Sequence, residues 1–391
     1  MLNKKSNIIN LGCRLNIYEG EVIKSLVKKH NINNYIIINS CAVTNEAEKK
    51  VRNTIKKAKK LNPSKKIIVT GCAAQIYPLK YNQMSEVDLV IGNNEKMEER
   101  IWQNINHINT VQVNNIFNVS STQNHIIEKF EGKARAYIEI QQGCNHRCTF
   151  CIIPFGRGNN RSVPVGIIVN RIKNLVKNNY KEVVLTGVDI TDYGKDKSGM
   201  PNLFQLSQHL LNFVPELEQL RLSSMDCAEI TEDFWNLLKN KRFMPHIHLS
   251  LQSGNDLILK RMKRRHSKQQ IISFCKKVRS LRNDVVFGAD IIAGFPTETD
   301  KMFQDTVNLI KKCNLTHLHV FPFSIRKSTP ASKMPQIPKN IIKKRAKILR
   351  ELGKNNLRKY LKNQIGSNIR VLIEQVKEKV SIGKSQHFTK I

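Results

Sequence analysis

Short apolar runs recur along this chain, most of them closing on glycine, serine or cysteine before a helical stretch begins. Runs of four to eight apolar residues alternating with amphipathic helices predict parallel sheets covered by helices. In such sheets the carboxyl ends of all strands share one edge, and ligands bind outside that edge. Residues 1 to about 95 predict strands at Ile8–Leu11, Tyr35–Asn39, Lys66–Thr70 and Val87–Ile91. They predict helices at Glu19–Lys29 and Thr44–Leu61, with Thr44 as the N-cap and Glu46 in the first turn. Cys13, Cys41 and Cys72 each stand just beyond one of the first three strands. Alone, each reads as a buried small hydrophobe. Three at one topological position read as a three-thiolate site.

A second strand-helix rhythm starts at Ala136–Ile140 and continues at Val183–Leu185, Leu220–Leu222, Ile247–Leu249, Val285–Ile292 and His317–Val320. Six parallel strands with polar and glycine residues at their carboxyl ends predict a partial or full α/β barrel, whose chemistry gathers at that end. Cys144, Cys148 and Cys151 follow the first of these strands in a C-x3-C-x2-C run. Three thiolates suit an iron-sulfur cluster that keeps one iron free, whereas structural zinc closes its tetrahedron with a fourth ligand. His146 neighbours Cys144 too closely to serve as that fourth ligand. The bare spacing leaves cluster, zinc and accident open. A basic helix is expected from Pro338 to about Lys362, then two short strands at Asn368–Ile373 and Val380–Ile382.

The chain carries 65 basic and 31 acidic residues, a net +34. Part of that excess accompanies a general richness in Lys, Asn and Ile. The clusters Lys56–Lys57, Lys59–Lys60, Lys260–Arg265 and Lys339–Arg350 still point to a polyanion, nucleic acid first. No stretch approaches 18 apolar residues, and Met1–Asn10 is too weakly apolar for a secretory signal, so a cytoplasmic protein with no membrane partner is expected. Nine cysteines in such a setting read as ligands rather than disulfides; Cys227, Cys275 and Cys313 are expected in or near the barrel core.

The segment 141–158, QQGCNHRCTFCIIPFGRG, resembles the cluster loop of the radical S-adenosylmethionine methylthiotransferases. Leu11-Gly12-Cys13-Arg14-Leu15-Asn16, Asn39-Ser40-Cys41-Ala42-Val43-Thr44 and Thr70-Gly71-Cys72-Ala73 resemble the same family's second cluster domain. The resemblance implies an N-terminal cluster domain over 1–125, a radical S-adenosylmethionine barrel over 130–350, and a short β tail over 366–391 like a truncated TRAM domain. It implies two [4Fe-4S] clusters, one on Cys13, Cys41 and Cys72, the other on Cys144, Cys148 and Cys151 with S-adenosylmethionine at its open iron. Cosubstrate contacts are expected from Phe150, Gly187, Ser223, Ser224, Ser250, Gln252, Asp290 and Gly294. Arg14 and Asn16 are expected to tune or shield the first cluster. Arg157, Arg161, Arg261, Lys263, Arg264 and Arg265 are candidates for phosphate contact. Arg14-Leu15 and the 153–158 loop look most like the branch that converts N6-threonylcarbamoyladenosine at tRNA position 37 to its 2-methylthio derivative. The alternatives are isopentenyladenosine in tRNA, a ribosomal-protein aspartate, and a zinc-holding RNA-binding protein. An electron-donor protein and a monomeric enzyme are further expectations.

Overall fold

The computed structural model describes residues 7–391. The opening of the stretch weighed as a secretory signal, residues 1–6, lies outside them. The first sheet has five parallel strands in sequential order: β1 Ile8–Asn10, β2 Tyr35–Ser40, β3 Lys66–Gly71, β4 Leu89–Ile91 and β5 Val111–Gln112. Every residue of β2 is buried, as expected of a strand covered on both faces. The register pairs Asn10 with Asn39, Asn39 with Thr70, and Ser40 with Gly71. The carboxyl ends of β1, β2 and β3 therefore finish level, and the three cysteines that follow them start from one edge.

Helix α1, Arg14–Lys29, begins directly after Cys13, five residues earlier than its apolar stripe predicted. It buries Leu15, Tyr18, Val22, Ile23, Leu26 and Val27. Helix α2, Asn45–Leu61, starts at the expected cap, where Thr44 Oγ1 accepts from Ala47 N at 3.1 Å. The weakly patterned stretch after residue 96 holds a short helix at Glu99–Gln103 and the two-residue β5, too brief to leave a periodic signal.

The second unit contains β6 Arg135–Glu139, a small antiparallel pair β7 Gln141–Gln142 and β8 Arg161–Ser162, then β9 Glu182–Thr186, β10 Gln219–Leu222, β11 His246–Gln252, β12 Val286–Ala293 and β13 His317–Pro322. Strands β6, β9 and β10 form one parallel sheet and β11, β12 and β13 another. Isolated parallel bridges, Leu220 to Phe243 and Met225 to Leu249, join the two. Cys275 and Cys313 are 1% exposed in the core behind them, and the partly buried Cys227 packs against it. Helix Lys339–Asn363 buries Ile342, Ala346 and Leu349, and Gly353 lets it approach Leu318 of β13. The chain finishes in an antiparallel hairpin, β14 Val371–Lys377 and β15 Val380–Ser385.

Candidate metal and cofactor site

The two thiol triads face each other across the junction of the two units. The short helix Ile153–Arg157, continuing from Cys151, packs on Cys72: a Cβ placed on Gly156 would stand 3.2 Å from Cys72 Cβ. All six cysteines are free thiols. Within the first set, Cys72 and Cys13 both raise the Cys41 thiol after burial has done so, to about 11. Burial and then Cys148 push Cys151 up to about 12, and Cys72 of the other triad adds to the effect. Desolvation likewise raises Cys144, with the Asp189 carboxylate adding to it. Cys13 is exposed at its surface, yet enclosure by protein raises its thiol, with Arg157 opposing. These thiols hold their protons at neutral pH, so metal loading must displace them.

N–H donors are aimed at sulfur in both sets. Arg157 Nε donates to Cys72 Sγ at 3.2 Å, and Asn93 Nδ2 does so at 3.7 Å. Arg264 Nη1 donates to Cys148 Sγ at 3.6 Å. Asp226 aligns Arg264 at 2.8 Å and is itself met by His266 Nδ1 at 3.1 Å. Burial would raise the Asp226 carboxyl, but the His266 hydrogen bond and the Arg264 charge hold it well below the usual range. His146 Nε2 lies 4.0 Å from Asp189 Oδ2 and within 4.8 Å of ligand atoms on Asp192 and Glu229. Soft thiols with hydrogen-bond donors on sulfur fit iron-sulfur ligation.

A cavity of about 210 Å³ is lined by Val43 and Thr44 beyond β2, by Phe150, by Gln252 and Asp290, and by Phe321–Ser324. Three expected cosubstrate residues, Phe150, Gln252 and Asp290, thus line one cavity. Gln252 adopts φ +69°, a strained value for glutamine at a strand end. Asp290 accepts from Ser224 Oγ at 3.3 Å and contacts His248 Nε2 at 3.0 Å and His319 Nδ1 at 3.2 Å. Ser223 and Ser250 stand at neighbouring strand ends, half-buried.

Other expectations need correction. The space beside Gly187 is filled by Gln141, whose Oε1 would lie 2.7 Å from an added Cβ and accepts from Val188 and Asp189 N. Gly294, φ +75°, accommodates Ile342 of the basic helix. Arg157 and Arg161, expected on phosphate, are 2% and 6% exposed and bonded internally. Arg264 is committed to Cys148 and Asp226, and Arg265 sits among Asp189, Asp192, Asp226 and Glu229. Arg261 donates to Thr297 Oγ1 at 2.6 Å. Of the four candidates in that run, Lys263 alone is an exposed cation with no carboxylate partner among the described residues. A run of charges says nothing about which members turn inward.

Asn16 does support the first triad. Its Nδ2 donates to Leu11 O at 2.6 Å and Ser40 O at 3.1 Å, tying the loops after β1 and β2 together, and its Oδ1 lies 3.7 Å from Cys13 Sγ. Arg14 turns away: its Cζ lies 5.6 Å from the Phe388 ring centre, beside Arg135 and Arg221. Sequence reasoning missed Glu19, Asn93, Lys96, Asp226 and His266. Only Glu19 left a signal, as an acid on the apolar stripe of α1.

A profile of the radical SAM superfamily matches residues 138–310, and one of the uncharacterized protein family UPF0004 matches residues 5–92. The chain is 52% identical over 373 residues to the threonylcarbamoyladenosine tRNA methylthiotransferase MtaB of Rickettsia prowazekii, covering 95% of this chain and 88% of that protein. It is 35% identical to the MtaB of Aquifex aeolicus, covering 93% and 91%. Among solved structures, the radical S-adenosylmethionine methyltransferase TsrM from Kitasatospora setae superposes with a TM-score of 0.58 at 13% identity, over 81% of this chain and 68% of that one. At that identity the likeness concerns the fold alone. Among the described residues, no helix is long and apolar enough to cross a membrane.

Proposed function

The chain belongs to the MtaB-type radical S-adenosylmethionine methylthiotransferases, and on that premise we propose that it converts N6-threonylcarbamoyladenosine at position 37 of tRNA to the 2-methylthio derivative. Identity of 52% across nearly the whole chain to a relative named for that substrate carries the reading. The close approach of the two thiol triads, near enough for Cys72 to act on Cys151, supports it. Iron-sulfur and S-adenosylmethionine binding follow from the family; two separate [4Fe-4S] clusters, on Cys13, Cys41 and Cys72 and on Cys144, Cys148 and Cys151, are our finer reading.

When bound, the Cys144 set and its cosubstrate supply radical chemistry, which an adenine C2–H with no acidic proton requires. The protein's own part is to position and enclose. Phe150 closes one wall of the cavity, against Phe295 at a centroid distance of 6.4 Å. Asp290 is fixed by Ser224, His248 and His319, so its carboxylate is oriented before a ligand arrives. The loop after Cys41 is held to the second unit by Arg326, which donates to Ala42 O and Glu48 Oε1. Val43 and Thr44, of the loop after Cys41, and Phe150, of the Cys144–Cys151 run, line the same cavity.

We read β6 and β9–β13 as a partial barrel, with domains at 1–125 and 130–350. The hairpin within 366–391 is read as a TRAM-like β segment. A monomer acting in the cytoplasm with an electron-donor protein completes the proposal. Mass spectrometry of tRNA nucleosides from a deletion strain tests it: the methylthio form of threonylcarbamoyladenosine should vanish and return with the gene. Its persistence in the deletion would reject the substrate. Anaerobic reconstitution should give a brown protein with about eight irons, four per cluster; a colourless protein holding zinc would reject the chemistry.

A further inference from the structure

Arg157 follows the Cys144 triad in sequence, yet its guanidinium serves the other triad. The side chain is 2% exposed. Its Nε donates to Cys72 Sγ at 3.2 Å, Nη2 to Asn16 Oδ1 at 2.7 Å and to Glu19 Oε2 at 3.1 Å, and Nη1 to Gln142 Oε1 at 3.2 Å and to Glu19 Oε1. All five N–H groups of the fork are thereby engaged. Four of the five bonds run to the N-terminal unit, and one of those ends on a cysteine sulfur.

The charges around that sulfur do not cancel. Lys96 Nζ, fully buried, donates to Glu19 Oε2 at 2.6 Å and to Asn93 Oδ1 at 2.7 Å, and Asn93 in turn donates to Cys72. Two cations, Arg157 and Lys96, share one carboxylate, Glu19. Glu139, joined through Gln142 at 2.8 Å, is a second carboxylate on the far side of the network, with Arg171 donating to its backbone O. Beside Cys72 itself the two buried cations outnumber the one carboxylate that they share. Buried cations left in surplus are costly unless an anion completes them. A thiolate-held cluster is such an anion, and each added electron makes it more negative.

We propose that Arg157 is a positioning residue that holds Cys72 and raises the reduction potential of a cluster on Cys13, Cys41 and Cys72, so that the loop carrying one cluster sets the potential of the other. This rests on the two-cluster reading above. Hydrogen bonds to sulfur and net local charge are the levers by which a protein sets such potentials. Attraction between a buried cation and the extra electron is weakly screened, and it favours the reduced form.

The test uses the full chain with Cys144→Ala, Cys148→Ala and Cys151→Ala, reconstituted anaerobically, so that any remaining signal belongs to the N-terminal site. Dithionite titration followed by electron paramagnetic resonance reads its midpoint. Adding Arg157→Met should weaken the preference for the reduced state about tenfold or more, a fall of about 59 mV for one electron. Adding Glu19→Gln instead leaves Arg157 and Lys96 unneutralised and should move the midpoint upward. Opposite shifts support the proposal, because mere structural damage gives no such sign change. An unchanged midpoint in Arg157→Met overturns it. If that variant cannot be loaded, an unchanged or lowered midpoint in Glu19→Gln overturns it. A triple-alanine parent that holds no iron would reject the two-cluster reading itself, and this inference with it.

Discussion

Glu19 shows how much one residue position can hold. Burial alone would raise its carboxyl, but Arg157 and then Lys96 hold it at about 2, against 4.5 for a free glutamate. A depressed carboxylate adds stability above the unfolded pKa and loses it as pH falls through the folded one. The stabilisation is therefore complete above about pH 5 and fades toward about pH 2, amounting to about 3 kcal/mol across the window. Urea unfolding of the metal-free chain at pH 5.5 and pH 3.5 should show a drop that Glu19→Gln flattens; parallel profiles would refute the assignment. Glu19→Ala should cost about 3–5 kcal/mol at pH 7, since it leaves two buried cations unpaired. At this scale the sequence was legible in part. Six cysteines announced themselves by spacing and position, because strand ends in a parallel sheet converge. Arg157 did not: exposure is a tertiary property, and an arginine beside a glycine-rich loop reads as a phosphate grip until its carboxylate partner, 138 residues away in sequence, is seen.

Among elements, the loop that presents Cys144 depends on backbone conformation. Gly143 adopts φ +68°, and a Cβ there would stand 1.8 Å from Asn159 O. The same stretch is closed by Cys144 N donating to Gly158 O at 3.0 Å. Gly143→Ala forces both a disfavoured φ, about 1–2 kcal/mol for an L-residue, and a backbone displacement. Iron per chain in Gly143→Ala should fall toward half while circular dichroism stays native, because the first triad lies on separate strands. Gly199→Ala is a fair control, with a similar φ of +78° and nothing within 4 Å of the added carbon. Full iron in Gly143→Ala would show that the loop tolerates the shift. Strands and helices were legible here because burial on both faces writes continuous apolar runs and helix stripes repeat. Helix α1 began earlier than its stripe because its first two turns carry Asn16 and Glu19, polar residues buried for the site. Gly187 and Gly294 misled for a related reason: a glycine marks a close approach without saying whether ligand or protein fills the gap.

For the whole molecule, the internal use of Arg157, Arg161 and Arg264 moves the RNA question to the surface. Helix Lys339–Asn363 exposes Lys343, Lys344, Lys347, Arg350, Lys354, Arg358, Lys359 and Lys362, while its apolar side packs on β13. Its one acid, Glu351, pairs with Lys354 at 2.8 Å. The tail hairpin is braced against the bottom of the strands, where Arg221 donates to Gln386 O at 2.9 Å and to Ser385 O at 3.1 Å. A basic helix lying on the outside of β13 and a braced tail leave one broad cationic flank for a polyanion. Binding through phosphates releases counterions, so affinity for tRNA should fall steeply and linearly on a logarithmic salt scale. Removing one cation that grips a phosphate should reduce that slope by about one. Replacing Lys343, Lys347 and Arg350 together by glutamine should therefore flatten the slope by about two to three and weaken binding at low salt, with unfolding midpoints unchanged because these side chains are exposed. An unaltered slope would assign the docking to another face. Retained iron and cleavage of S-adenosylmethionine in the same variant would show that the flank carries substrate capture and leaves the buried chemistry alone.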